Sequence, residues 1–137
     1  MWVGTQEGLN RLDLSTGSMR SWRERDGLAG DLVYAVAAAP DGGVWAGSWP
    51  GGVTRLTRDG SVARRYEADG MPPSAFEVIA LHPRPDGELW AGASRGAFRL
   101  APGGAAFQPA ALPGGPPRDS VFAFAENAQG ELFAVSR

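Results

Sequence analysis

The chain's single histidine, His82, sits in "LHPRPDG". A histidine can act as a general base or bind a metal, but either role needs convergent partners. No His-Cys-carboxylate spacing surrounds His82, so it is expected to be a structural residue at a strand end. Asp26, Asp41, Asp59, Asp69 and Asp86 each precede a glycine, which is hairpin-turn chemistry. Glu77 is placed in an inner strand, facing either a central channel or a neighbouring layer, and a lone carboxylate there makes no acid–base pair. The serines follow no nucleophile-elbow pattern. The run "GGVWAGSWPGG" (42–52) has glycines suited to a phosphate loop but lacks its lysine and any following helix. No catalytic residue, bound metal or cofactor is expected. What remains is a pair of tryptophans, Trp45 and Trp49, in that same run.

Composition narrows the setting. The 137 residues suffice for one domain with a core, and 43% hydrophobic with 20% charged residues is a globular balance. A net charge of −2 gives no basic field for nucleic acid. All 13 basic residues are arginine, which GC-rich codon usage explains alongside abundant Ala, Gly and Pro. The absence of cysteine excludes disulfides and thiolate sites. No apolar run approaches the ~18 residues of a membrane span, and the N-terminus lacks the charged and apolar regions of a signal peptide. No direct membrane insertion by this segment is expected, and the residues themselves carry no address.

A repeat positions the tryptophans. Trp2, Trp45 and Trp90 stand 43 and 45 residues apart, each followed two residues on by Gly4, Gly47 or Gly92. Phe133 falls 43 residues further on and takes the fourth tryptophan position. After each tryptophan come a glycine (Gly8, Gly52, Gly96) and an Arg-Leu pair. Ahead of the later ones lie Asp41-Gly42, Asp86-Gly87 and Gln129-Gly130, preceded by "LVYAVAAAP", "FEVIALHP" and "VFAFAENA". These short apolar runs, cut by turn dipeptides, predict strands and hairpins. In the second unit they predict an inner strand at 31–38, a tryptophan strand at 43–48, a Gly-x-x-Arg-Leu strand at 52–58 and a polar strand at 61–67. Tyr66 is expected on that fourth strand, with Trp22 and Phe107 in the related places. Four strands in a period of about 40–50 residues predict an all-β propeller built of four-stranded antiparallel blades. The units read as 1–43, 44–88 and 89–131, with the start of another at 132–137.

The pattern "MWVGTQEGLNRLDLSTGSMRSWRERDGL" resembles the two-component regulator propeller repeat, and the likeness covers the chain, most faithfully in the first unit. The second unit carries Ser48 for the motif threonine and one extra residue near Pro50, and the third is eroded at "APGGAAFQPAALPGG". The resemblance implies a sensor propeller of bacterial hybrid or sensor histidine kinases. It also implies a periplasmic or extracytoplasmic location and a parent carrying a kinase or diguanylate cyclase module.

Counted by strands, the chain holds three strands of one blade, two whole blades and two strands of another, an incomplete ring. Three explanations stand: a piece of a longer protein whose remaining blades lie in cis, a small protein completing its ring with other copies in trans, or a β-sandwich with misleading repeats. A repeating aromatic on a blade strand packs between blades, so Trp2, Trp45, Trp90, Phe133, Gly4, Gly47 and Gly92 are expected to be structural. Trp49 has no counterpart in the other units, where Gln6 and Arg95 stand nearby. Local packing and ligand contact are both open to it. Propeller geometry is expected to gather Gln6, Glu7, Trp49 and Arg95 with Arg23, Glu24, Arg25, Glu67 and Arg118 on one loop face. Such an aromatic platform rimmed by charge suits a sugar, a small acid or a peptide. The leading expectation is non-catalytic ligand sensing, and the alternative is an interaction scaffold completed by oligomerisation.

Overall fold

The computed structural model describes residues 1–110 and 119–136. Thirteen strands form four antiparallel sheets among these residues. The first sheet holds β1 (Trp2–Thr5), β2 (Gly8–Leu12) and β3 (Met19–Trp22). In the second, β4 (Leu32–Ala38), β5 (Val44–Trp49), β6 (Gly52–Leu56) and β7 (Val62–Tyr66) lie in chain order. The third repeats this with β8 (Val78–Pro83), β9 (Leu89–Ala93), β10 (Gly96–Leu100) and β11 (Gln108–Pro109). The fourth is a hairpin of β12 (Val121–Glu126) and β13 (Leu132–Ser136). The strand count of three, four, four and two is the one the repeat predicts, and the alanine-rich run 32–38 is a strand rather than a helix. Among the described residues no helix is long and apolar enough to cross a membrane.

The hairpins close as the turn residues dictate. Asp41, Asp59 and Asp86 each accept a hydrogen bond through Oδ1 from the backbone N–H two residues on, at 2.9–3.0 Å. Asn127 does the same for Gln129 and also takes the N–H of Glu131. These bonds hold the chain in a tight reversal where the backbone has no strand partner.

The sheets stack face to face like the blades of an incomplete propeller, with the edge strands β4, β8 and β12 side by side on the inner rim. Each inner strand carries a bulge at the same place, with Tyr34, Ile79 or Phe122 as the extra residue. Three apolar clusters fill the junctions. Leu9, Trp22, Val33, Val44, Ala46 and Leu56 lie between the first two sheets. Val53, Phe76, Val78, Leu89, Ala91, Leu100 and Phe107 fill the second junction. Trp90, Ala97 and Val121 form the third, joined by Phe124, Leu132 and Ala134. Each large side chain wholly buried here is worth about 1.5–3 kcal/mol relative to exposure.

The tryptophan-x-glycine strand supplies the fit between sheets. Trp45 and Gly47 share a face of β5, because strand side chains alternate. Trp45 packs on the cluster leading to the third sheet. A methyl placed on Gly47 lies 2.5 Å from Cγ1 of Val78 on the next inner strand. On Gly4 it lies 2.8 Å from Cγ1 of Val33, and on Gly92 it lies 2.5 Å from the carbonyl oxygen of Val121. Glycine therefore recurs because the next sheet's inner-strand valine occupies the space of a side chain.

Three expectations change. Phe133 is 53% exposed rather than packed, on a side of the fourth hairpin that no sheet among the described residues covers. Glu77 precedes β8 rather than lying in it, and its carbonyl accepts the Ser94 N–H. Phe107 is not the counterpart of Trp22 and Tyr66. Those two pair with Leu9 and Val53, whereas the N–H of Ala110 bonds the carbonyl of Ala97, the equivalent third-strand residue. Spacing carried this signal: Trp22, Tyr66 and Ala110 each stand ten residues after the leucine of the Arg-Leu pair. Phe107 instead bonds across to Glu67 and is wholly buried against Phe76 and Tyr66.

Candidate functional site

The candidate site residues come from the turns between second and third strands and from the connections between sheets. Trp49 ends β5, opposite Leu32. Its indole N–H donates to the Ser74 carbonyl at 3.2 Å, and the Gly51 N–H donates to Pro73 at 3.1 Å. The tryptophan loop is thus stitched to the 3-10 turn Pro73–Ala75 that leads into the third sheet. Trp49 still keeps 38% of its surface exposed. It packs locally along one edge and presents the rest outward.

Gln6 and Glu7 form the β1–β2 turn, and Glu7 pairs with Arg23 at 3.4 Å between exposed side chains. Arg25 reaches Asp26 at 4.0 Å, and Asp26 accepts the Arg23 N–H. Exposed pairs of this kind are worth about 0–1 kcal/mol. Asp31 takes the Glu24 N–H at 2.7 Å, which fixes the connection between the first two sheets. Arg95 is exposed in the β9–β10 turn, and Glu67 is exposed just beyond β7. Arg118 lies outside the described residues.

The structure brings together Gln6, Glu7 and Arg23 but leaves Trp49 and Arg95 on the turns of separate sheets. The first three rim a groove of about 650 Å³ that also exposes Val3, Thr5, Asn10 and Leu12. In the second sheet, Ala46, Ser48, Thr54 and Leu56 hold the positions of those four residues and all are buried, Ala46 and Leu56 in the cluster between the first two sheets. The groove is therefore the outward face of the first sheet, at positions whose counterparts in the second sheet are buried.

A second polar cluster bridges the third and fourth sheets. Glu126, at the end of β12, accepts Arg84 Nε at 2.9 Å, and its Oε1 lies 3.3 Å from His82 Nε2. Arg84 continues to Glu88 at 3.4 Å and to the Gly130 carbonyl at 2.9 Å, and Glu88 also meets Arg99 at 3.1 Å. Burial opposes ionisation of Glu126, but hydrogen bonds and charge from Arg84 and His82 outweigh it and hold its carboxyl below the ordinary value. The chain separation of 44 residues hid this partner of His82 from sequence reasoning. Each charge is countered by a neighbour, so the cluster is a clamp between sheets. Among the described residues no three His, Cys, Asp or Glu side chains converge as a metal site.

No family model matches the chain, and neither does any curated protein. Solved structures do. The chain is similar to the extracellular domain of BT4673, a proposed one-component or hybrid two-component system from B. thetaiotaomicron, with a TM-score of 0.81 and 21% identity over 98% of this chain. It is also similar to the extracellular domain of BT3049, a proposed hybrid two-component system from the same organism, with a TM-score of 0.72 and 19% identity over 97% of this chain. Virginiamycin B lyase from Staphylococcus aureus matches 75% of this chain with a TM-score of 0.57 and 21% identity. The likeness is one of fold. The chain spans 18% of each of the two extracellular domains and 34% of the lyase.

Proposed function

We propose that the chain is a non-catalytic sensing segment of a bacterial two-component-type signalling protein. In this reading it lies outside the cytoplasm and binds a small molecule or saccharide on its loop face, with further blades as its partners. The observation that carries the reading is its fit, over 97–98% of its length, to extracellular domains of proposed signalling systems. The lyase is the weaker match, with a TM-score of 0.57 over 75% of this chain. Trp49 is the leading contact residue, since a rigid, anchored and partly exposed indole can stack on a sugar face at low entropic cost.

Trp49 is also the reporter. Titrating the chain with neutral and acidic oligosaccharides is expected to give a saturable change in tryptophan fluorescence. Trp49→Ala, which lacks the reporter and is compared with the wild type by titration calorimetry, is expected to weaken that affinity about tenfold, ~1.4 kcal/mol, while its melting temperature moves by only a few degrees. Unchanged affinity in the variant removes Trp49 from the site, and turnover of the sugar contradicts the non-catalytic reading.

A further inference from the structure

The outer rim of the junction between the first two sheets holds a notch of about 290 Å3, bordered by Arg20, Ser21, Trp22, Asp26 and Ser61. β3 and β7 are the outermost strands of those sheets, so the notch lies between two sheets that the chain itself supplies. The next junction is closed at its rim. Ala63 and Phe107 each stand seven residues after the leucine of the Arg-Leu pair. Phe107 is wholly buried, and its backbone bonds Glu67 and Asp69 across the junction. Ala63 is exposed and brings no ring to the first junction.

Charges of opposite sign border the notch. The Arg20 guanidinium lies 4.6 Å from the centre of the Trp22 ring and spends one N–H on the Asp59 carbonyl at 3.3 Å. A guanidinium has five such donors, and among the described residues Arg20 makes no ion pair. The Asp59 carboxylate is held within its own turn by the Thr57 hydroxyl and the Ser61 N–H. Asp26 accepts the Arg23 N–H through Oδ2 at 2.9 Å, and Arg25 reaches the same oxygen only at 4.0 Å. That leaves its Oδ1 without a hydrogen bond among the described residues. The second junction carries the same pair as Arg64 and Asp69, but there Gln108 bonds Asp69 at 3.3 Å and Phe107 bridges the gap.

We propose that this notch binds a small zwitterion, a free amino acid, with its carboxylate on Arg20 and its ammonium on Asp26. Fixed charges of both signs suit a ligand that carries both, whereas a simple anion or cation meets one repulsive wall. Arg20 is pre-organised for a carboxylate, because stacking and one hydrogen bond already restrict it. The Ser21 hydroxyl donates to Asn10 Oδ1 at 2.6 Å, which leaves its oxygen to accept from the ammonium. The volume stands at the small end of ligand pockets, roughly 300–1,000 Å3, and so admits one small molecule. The site is separate from Trp49 and does not depend on the sensing role.

Titration calorimetry of the purified chain with L-serine tests it, with N-acetyl-L-serine and L-serinamide as analogues that each lack one charge. The wild type is expected to bind L-serine saturably and both analogues at least tenfold more weakly. Arg20→Gln and Asp26→Asn should each weaken L-serine binding about tenfold. The asparagine keeps an oxygen for the Arg23 N–H, so the turn stays closed. Ala63→Phe places at the first rim the ring that closes the second, and should abolish binding while circular dichroism stays unchanged, because Ala63 is exposed. Absence of saturable L-serine binding to the wild type overturns the proposal. So does equal binding of either analogue, which would mean that one charge is idle, and so does full affinity in folded Arg20→Gln or Ala63→Phe.

Discussion

His82 acquires its role from a residue 44 positions away, and that is where sequence reasoning stopped. Its own neighbourhood offers it no partner, and only stacking of the fourth hairpin supplies Glu126, and with it the Arg84 clamp. The lowered pKa of Glu126 fixes the sign of a pH effect. A carboxylate held below its unfolded value stabilises the fold above the ordinary glutamate range, and this contribution disappears as pH falls through the lowered value. Denaturant midpoints measured from neutral to acid pH should therefore drop for the wild type. Glu126→Gln should start lower at neutral pH and show a flatter profile. The groups facing Glu126 are His82 and Arg84, with Glu88 and Asp86 acting on it through Arg84. Parallel profiles would mean that the clamp contributes nothing. Trp49 was legible only as an exception to the repeat. Its anchor on Ser74 belongs to a connection with no repeat pattern, so it could be seen only in three dimensions.

At the scale of elements, the strands were readable because period and turn chemistry agree: aspartate or asparagine before the reversal, an aromatic after it, glycine two residues on. Sequence left three features hidden. The bulges at Tyr34, Ile79 and Phe122 have no residue signature, since the extra residue is tolerated wherever the inner edge is free. The counterpart of Trp22 and Tyr66 in the third sheet is Ala110, which chemistry disguised and spacing would have found. Phe107 then reads as a plug that compensates for a short fourth strand, β11, of only two residues. It is wholly buried beside two aromatic rings, so Phe107→Ala should cost about 3–5 kcal/mol. Chemical denaturation measures this, and a loss below ~1 kcal/mol would show that the plug is dispensable.

Across the whole molecule, the sheets hold together through one repeated fit: an aromatic and a glycine on one sheet, an alanine and an inner-strand valine on the next. The fit explains why the fold could be inferred from three weak motifs in register. It also explains why the ligand could not be inferred, because the loop face varies where the fit is indifferent. The contact between Gly47 and Val78 tests this most directly, by a double-mutant cycle on the stability of the chain. Gly47→Ala should cost about 1–3 kcal/mol through overpacking against Val78. In a Val78→Ala background, where Cγ1 is gone, most of that cost should vanish. If the two losses simply add, the glycine is not there to admit the valine, and the account of how these sheets interlock is wrong.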